Sequence, residues 1–170
     1  MPAPECLRKR RAPAAAASLG HVDLILATSV FTHLVETWSA WLVELHRLLG
    51  EEGLLAVTFK NRGSFEGPAR AAWHEDWDED QIGMHVYGAG LGWDKGGPAV
   101  YQSQWWLRAH WGRAFEFLHL EPESVGQGIA VMRKRPGHFE PEDLEALEPG
   151  EPREIAGLRY SLRHARRESA

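Results

Sequence analysis

The stretch His21–Gly53, HVDLILATSVFTHLVETWSAWLVELHRLLGEEG, contains the pattern that decides the fold. VDLILA at 22–27 is a short, nearly continuous apolar run of the kind found in parallel strands covered by helices on both faces. LLAVTF at 54–59 predicts a second buried strand. Between them, apolar residues recur every three or four positions from Phe31 to Leu49, which predicts a helix that ends at Gly50. We therefore expect two parallel strands joined by a right-handed crossover.

The rest of the chain extends this unit. Residues 60–101 lack periodicity and predict loops and short elements, and a loop region of that length is more often functional than not. Ser103 is a plausible N-cap for a short helix over 104–111 that ends at Gly112. Alternating residues at 115–120 and 128–132, around a turn at Gly126, predict an antiparallel hairpin.

Length and composition predict one domain with tails, and the strand–helix–strand pattern makes that domain α/β. We assign residues 1–18 to a disordered tail, 19–135 to the domain, and 136–170 to a charged linker with one or two exposed helices, the second beginning near Pro152. The 170 residues carry 19 basic and 24 acidic side chains, so no general attraction for nucleic acid or an anionic membrane is expected. One cysteine, Cys6, excludes an internal disulfide framework and favours a cytoplasmic setting.

The ordered series of elements resembles the second half of the class I S-adenosylmethionine-dependent methyltransferase fold. DLILATSVFTHL at 23–34 is similar to the fourth strand of that family and the helix after it, and WLVELHRLL at 41–49 continues the helix. Residues 115–133 look like the last two strands of the family, with Gln127 at a position where many relatives have glutamine. The resemblance covers roughly residues 20 to 135.

The resemblance implies a partial Rossmann-like sheet. The family's sheet order is 3-2-1-4-5-7-6, so this chain is expected to supply four strands in the order 4-5-7-6, with flanking helices. The glycine-rich turn after the family's first strand and the ribose-binding acid after its second have no counterpart in the sequence. A truncated or degenerate domain with weak or absent S-adenosylmethionine binding is therefore expected. Residues 151–160 resemble a helix that leads toward glycosyltransferase modules in bacterial relatives, which implies a glycan or small-molecule acceptor.

Four residues are the candidates for the site. The resemblance places Ala27, Thr28 and Ser29, at the end of the first strand, beside the cofactor, although Thr28 and Ser29 could equally be an N-cap pair for the following helix. His33 would follow at the start of that helix, where ligands meet open α/β sheets, and could accept a proton from a substrate hydroxyl. Its alternative role is as a capping or solvated side chain.

Other motifs favour structural interpretations. Gly88–Gly92 is followed by WDKGGP, which would prevent the helix that a cofactor-cradling loop needs. The acidic run at 74–80 contains no turn-forming glycine, and His74, His85 and His110 lack the spacing of a helical metal motif, so no metal is predicted. Eight tryptophans suggest core packing first and a sugar-stacking groove second.

A different class of function stays open alongside methyl transfer. If the sheet begins at the family's fourth strand, that strand lies at an edge, with unpaired backbone groups beside apolar side chains. A non-catalytic module would then pair through this edge, either with a second copy or with a separate chain that supplies the first strands.

Overall fold

A four-stranded mixed sheet organises the molecule. The computed structural model describes residues 22–61, 64, 83–124 and 126–168, so the predicted tail at 1–18, the acidic run at 74–80 and His74 lie outside the described part. The sheet has the order β1-β2-β6-β5, formed by β1 (Val22–Ala27), β2 (Leu49–Phe59), β5 (Phe115–Ser124) and β6 (Gln127–Lys134). β1 is parallel to β2, and β6 is antiparallel to both β2 and β5. The predicted strand count, order and closing hairpin are confirmed.

A separate pair of short strands follows β2 in the chain and precedes the hairpin. β3 (Met84–Tyr87) and β4 (Ala99–Gln102) are antiparallel, and Tyr101 makes an isolated parallel bridge to Lys60, just after β2. α2 (Gln104–His110) follows at the predicted place, but the Ser103 hydroxyl makes no capping hydrogen bond. Gly88–Gly92 opens no α-helix; a single 3-10 turn at Trp93–Lys95 follows it.

The first helix is shorter than its apolar spacing predicts. α1 covers Trp38–Leu48, whereas residues 28–37 form turns, one of them closed by the hydrogen bond from His33 N to Val30 O at 3.1 Å. The predicted helical start near Phe31 is therefore wrong. Phe31 is fully buried in the core although it lies in a turn. An apolar residue at this position therefore reflects a buried turn and not a helix.

The helix ends close to the predicted position, at Leu48 with Leu49 as the C-cap, but Gly50 is not the cause. Gly50 does not stop α1, because Leu49 already has extended backbone angles and Leu49–Phe59 forms one long strand. Gly53 lies where β1 and β2 approach closely: a Cβ at Gly53 would stand 2.8 Å from the carbonyl oxygen of Val22. Glycine is therefore required by the pairing of the two strands and does not act as a helix terminator.

One face of the sheet carries the core. Residues opposite one another on neighbouring strands share a face, so the register places Leu55, Met132 and Phe117 side by side. The helices α1 and α2 pack against this face and contribute the buried side chains Trp38, Leu42, Leu45, Trp106 and Leu107. Trp111, in a 3-10 turn after α2, completes the layer, with its ring tilted against that of Phe31 and the ring centres 4.9 Å apart. Trp106 and Trp111 therefore serve packing.

The opposite face of the sheet is open at β1. Leu24 is 59% exposed and Leu26 is 71% exposed, and Val22, on the same face, is exposed as well. The expectation that helices cover both faces of this strand is wrong. β1 pairs with β2 alone among the described strands, which confirms the edge position. Alternation along the strand buries Ala27 and half-buries Ile25, while the leucines face outward.

The C-terminal segment packs on the core at its beginning, whereas its last part is exposed. α3 (Pro141–Glu145) and α4 (Pro152–Glu168) lie where two exposed helices were predicted, and α4 begins at the predicted proline. Leu144 of α3 is fully buried in the core cluster. Within the described residues, no helix is long and apolar enough to cross a membrane.

His46 in α1 makes stability depend on pH. Its Nε2–H donates to the carbonyl oxygen of Arg135 at 2.8 Å, between the rings of Phe115 and Phe139. Burial lowers the pKa of His46 below its ordinary value of 6.5. The folded state therefore prefers the neutral ring, and this contribution is complete above pH 6.5 and is lost as the pH falls through the lowered folded pKa.

We expect the free energy of unfolding to decrease on acidification below pH 6.5 and this decrease to be smaller in His46→Gln. Glutamine can keep the hydrogen bond to Arg135, because its Nε2 occupies a similar position, but it does not titrate. Urea denaturation at several pH values checks this. An equally steep decrease in the variant would assign the dependence to other groups.

Candidate functional site

The candidate residues lie at the carboxyl end of β1, as predicted. Ala27 closes the strand and its side chain is buried, so only its backbone could meet a ligand. Thr28 and Ser29 follow in an exposed turn. They do not cap a helix, because α1 begins nine residues later than Ser29, with Thr37 at the N-cap position. The capping alternative for this pair is therefore wrong.

Ser29 has a strained backbone that contacts from two other strands hold in place. Its φ is 56°, the only positive φ of a non-glycine residue in the described part of the chain. Its N–H donates to Oγ1 of Thr58 on β2 at 2.8 Å, and Nε2 of Gln127 on β6 donates to its Oγ at 3.0 Å. Residues other than glycine seldom adopt a positive φ unless surrounding contacts hold the backbone there. Backbone strain that is held in this way is concentrated at ligand-binding and active sites.

His33 lies in the turns before α1 and not at the start of a helix. Its Nδ1 is 2.6 Å from the carbonyl oxygen of Pro98. A carbonyl only accepts, so Nδ1 carries the proton and Nε2 of the neutral ring keeps its lone pair. The ring is half-buried and stands 5.7 Å from the ring of Trp93, which is 65% exposed. His33 therefore has the tautomer that a proton acceptor needs.

The β3–β4 pair connects the His33 turn to the end of β2. Val100 N donates to Thr32 O at 2.8 Å, and Gln102 N donates to Lys60 O at 2.7 Å. β4 thus lies beside both segments and brings Pro98 to His33. The described end of the predicted insertion, residues 83–101, therefore has a structural role, which is to position this turn.

Two titratable groups, one in β4 and one beside it, were not among the residues predicted from the sequence. Burial lowers the pKa of Lys60, whose Nζ stands 5.8 Å from the centre of the Tyr101 ring. Burial, and to a lesser degree Tyr87, raises the pKa of Tyr101 to about 12. Tyr101 therefore stays neutral at physiological pH. Lys60 directly follows an apolar strand, and this position was the available signal.

A second set of buried polar side chains lies where α2 meets the C-terminal helices α3 and α4. Nδ1 of His110 lies 2.7 Å from Leu144 O, and Nε2 lies 2.8 Å from Oε1 of Glu154. His110 also stacks on Trp106, with ring centres 4.5 Å apart. A cavity of about 280 Å³ borders this pair, and none of the four candidate residues lines it. His110 is therefore tied to helix docking and not to the β1 site.

No metal site forms in the part of the chain that the structure describes. No three histidine, cysteine, aspartate or glutamate side chains cluster there closely enough to hold an ion. His110 is engaged by Leu144 and Glu154 and does not meet His85 in such a cluster. The donors around Ser29 are neutral hydroxyls and an amide, which suit hydrogen bonding to an organic ligand better than a cation.

Comparison with known proteins adds no family assignment. No family model matches the chain, and no curated protein matches it. The methyltransferase resemblance therefore remains an expectation from the sequence. The chain is a mixed α/β protein whose candidate site is the turn after β1, built from Ser29, Thr58 and Gln127, with His33 in the segment that follows.

Proposed function

We propose that this chain forms the acceptor-side half of a methyl-transfer site that uses S-adenosylmethionine, with a glycan hydroxyl or a small molecule as acceptor. The observation that carries the proposal is the sheet order β1-β2-β6-β5 with β6 antiparallel, which equals the expected order 4-5-7-6. Fold-level analogy alone does not establish an activity, so the site has to be argued from its residues.

The residues after β1 suit one part of a cofactor site. Thr28 and Ser29 are exposed at the carboxyl end of a parallel strand, where ligands of open α/β sheets bind. Gln127 and Thr58 fix the Ser29 turn, so its orientation is set before a ligand arrives. No acidic side chain hydrogen-bonds to this turn within the described residues, which leaves the ribose hydroxyls without their expected partner.

His33 is the residue that we assign to proton transfer. When bound, S-adenosylmethionine would supply an electrophilic methyl group, whose bond to sulfur would break to leave S-adenosylhomocysteine. Nε2 of His33 would take the proton of the acceptor hydroxyl as its oxygen forms the new bond to carbon, while the Nδ1 hydrogen bond to Pro98 keeps the ring oriented. Such proton acceptance contributes typically about 10²–10⁴-fold to a rate, so the alignment of donor and acceptor would contribute much of the remainder.

We expect the isolated chain to bind the cofactor weakly, with a Kd of about 1 mM or higher, because the described sheet lacks counterparts of the first two strands of the family. Amide chemical shifts measured during titration with S-adenosylhomocysteine test this. Changes should centre on Ala27, Thr28, Ser29 and Gln127. Ser29→Pro should abolish them, because proline cannot adopt a φ of 56° and lacks the N–H that binds Thr58.

Two outcomes would contradict the proposal. If no chemical shift changes around Ser29 at millimolar ligand, the cofactor does not bind at the proposed site. If the changes centre on the cavity beside His110, the ligand binds there instead. Calorimetric titration that gives micromolar affinity for the isolated chain would overturn the expectation of weak binding. Leu91→Ala, in the loop before Trp93, is the matched control and should leave the shifts unchanged.

A further inference from the structure

The open face of the sheet has a defined apolar and acidic pattern. The register places Leu24, Leu54, Arg133 and Glu116 in one row across the four strands, and Leu26, Ala56, Val131 and His119 in the next. The rows are thus apolar at β1 and β2 and polar at β5. Around Arg133, the carboxylates of Glu52 and Glu116 give this side of the face an acidic excess.

Helix α4 has the complementary pattern. Ile155, Leu158 and Leu162 are spaced by three and four residues, so they form one stripe, and they are 52%, 56% and 53% exposed. Arg159, Arg163 and Arg166 are exposed on the adjacent flank of the helix. α4 carries five arginines and two glutamates in a chain of formal net charge −5, so basic charge is concentrated on this helix.

The helix cannot reach the open face of its own sheet. Its first turn is fixed to α2 by Glu154, whose carboxylate meets His110. α2 belongs to the core on the opposite face of the sheet, so the sheet and this helical layer separate α4 from Leu24 and Leu26. From Leu158 onward every described side chain of α4 is exposed, and its 17 residues span roughly 25 Å.

We propose that α4 docks on the open sheet face of a second copy of this chain, with the stripe Ile155–Leu158–Leu162 on Leu24 and Leu26 and the arginines toward Glu52 and Glu116. Each copy carries both surfaces, and the proposal is a twofold arrangement in which each helix docks on the sheet face of the other copy. The charge pattern favours this occupant over an anionic lipid surface, because the chain as a whole is acidic. A sheet face covered by an amphipathic helix is the usual layered solution in α/β proteins.

This contact differs from strand pairing at the β1 edge. Edge pairing uses backbone groups of β1 and needs no helix, whereas face docking needs the side chains of α4. The docking proposal also does not depend on methyl transfer, so evidence against one of these two proposals leaves the other unaffected.

Molar mass measured by light scattering and sedimentation over a range of protein concentrations tests the proposal. The full chain is used with a reductant, so that a disulfide through Cys6 cannot mimic the dimer. We expect a dimer that weakens as salt is raised. Leu26→Glu and Leu158→Glu should each weaken it at least about tenfold, because each places a charge at the centre of one surface. Leu91→Glu, at an exposed leucine outside both surfaces, should not.

Mixing the two variants gives the sharpest outcome. The Leu26→Glu copy keeps an intact helix and the Leu158→Glu copy keeps an intact face, so a mixture should form a heterodimer through one contact, at lower affinity than the wild type. Both substitutions are at exposed positions, and urea denaturation should show unchanged folding. A monomeric wild type, a fully dimeric Leu158→Glu variant, or a mixture that stays monomeric would overturn the proposal. Binding to anionic vesicles with a monomeric protein would do the same.

Discussion

Phe31→Ala is expected to reduce the free energy of unfolding by about 3–5 kcal/mol. The Phe31 ring is fully buried and stands 4.9 Å from the ring of Trp111. Alanine would leave a cavity that a rigid core closes only in part. Domains typically have a free energy of unfolding of only about 5–15 kcal/mol. The substitution would therefore remove a large part of the stability and raise the fraction of unfolded molecules at physiological temperature.

Urea denaturation followed by circular dichroism measures the Phe31→Ala effect. Leu91→Ala, also in an irregular segment but 41% exposed, is the matched control and should change stability by less than about 0.5 kcal/mol. If Phe31→Ala cost no more than this control, the turn after β1 would not be anchored in the core. The Ser29 contacts would then be the main constraint on that segment.

Breaking the buried pair of His110 and Glu154 is expected to cost about 3 kcal/mol or more. Leu144 O can only accept, so Nδ1–H of His110 donates to it, and Nε2 of His110 hydrogen-bonds with Oε1 of Glu154 at 2.8 Å. The side chains are only 3% and 7% exposed. Removal of either partner leaves a polar group without its hydrogen bond in a site that excludes water.

A double-mutant cycle identifies the His110–Glu154 effect as pairwise. His110→Leu and Glu154→Leu should each be strongly destabilising, whereas the double variant should lose less than the sum of the two. Hydrogen exchange should show faster exchange throughout α4 in each single variant, because the pair fixes its first turn. Additive losses would assign the effect to packing against Trp106. Arg159→Leu, at an exposed position of the same helix, is the control.

Local patterns predicted the strands well. VDLILA at 22–27 has the observed bounds of β1, and the hairpin of β5 and β6 lies where alternation placed it. Helical spacing misled at Phe31 because a turn packed under β4 also buries residues three or four apart. The strand order followed from the family resemblance, and the apolar composition of β1 did not reveal that one of its faces is exposed.

The site was predictable in position but not in geometry. The carboxyl end of a parallel strand is a general place for ligands, and this rule led to Thr28, Ser29 and His33. The contacts that define them join distant segments: Ser29 to Gln127 is 98 residues apart, and His33 to Pro98 is 65. No local pattern encodes such contacts. The strain at Ser29 was equally invisible, because serine has no preference for a left-handed backbone.

The order of the strands has a consequence for synthesis of the chain. Among the described strands of the sheet, β6 is made last, yet it lies between β2 and β5 and pairs with both. Until residues 127–134 leave the ribosome, the edge of β2 that pairs with β6 has no partner. The apolar side chains of β2 therefore stay exposed in an incomplete sheet. Contacts so distant in sequence form slowly. The nascent sheet is therefore most vulnerable to aggregation just before β6 emerges, and slower translation at that point would prolong the exposure of β2.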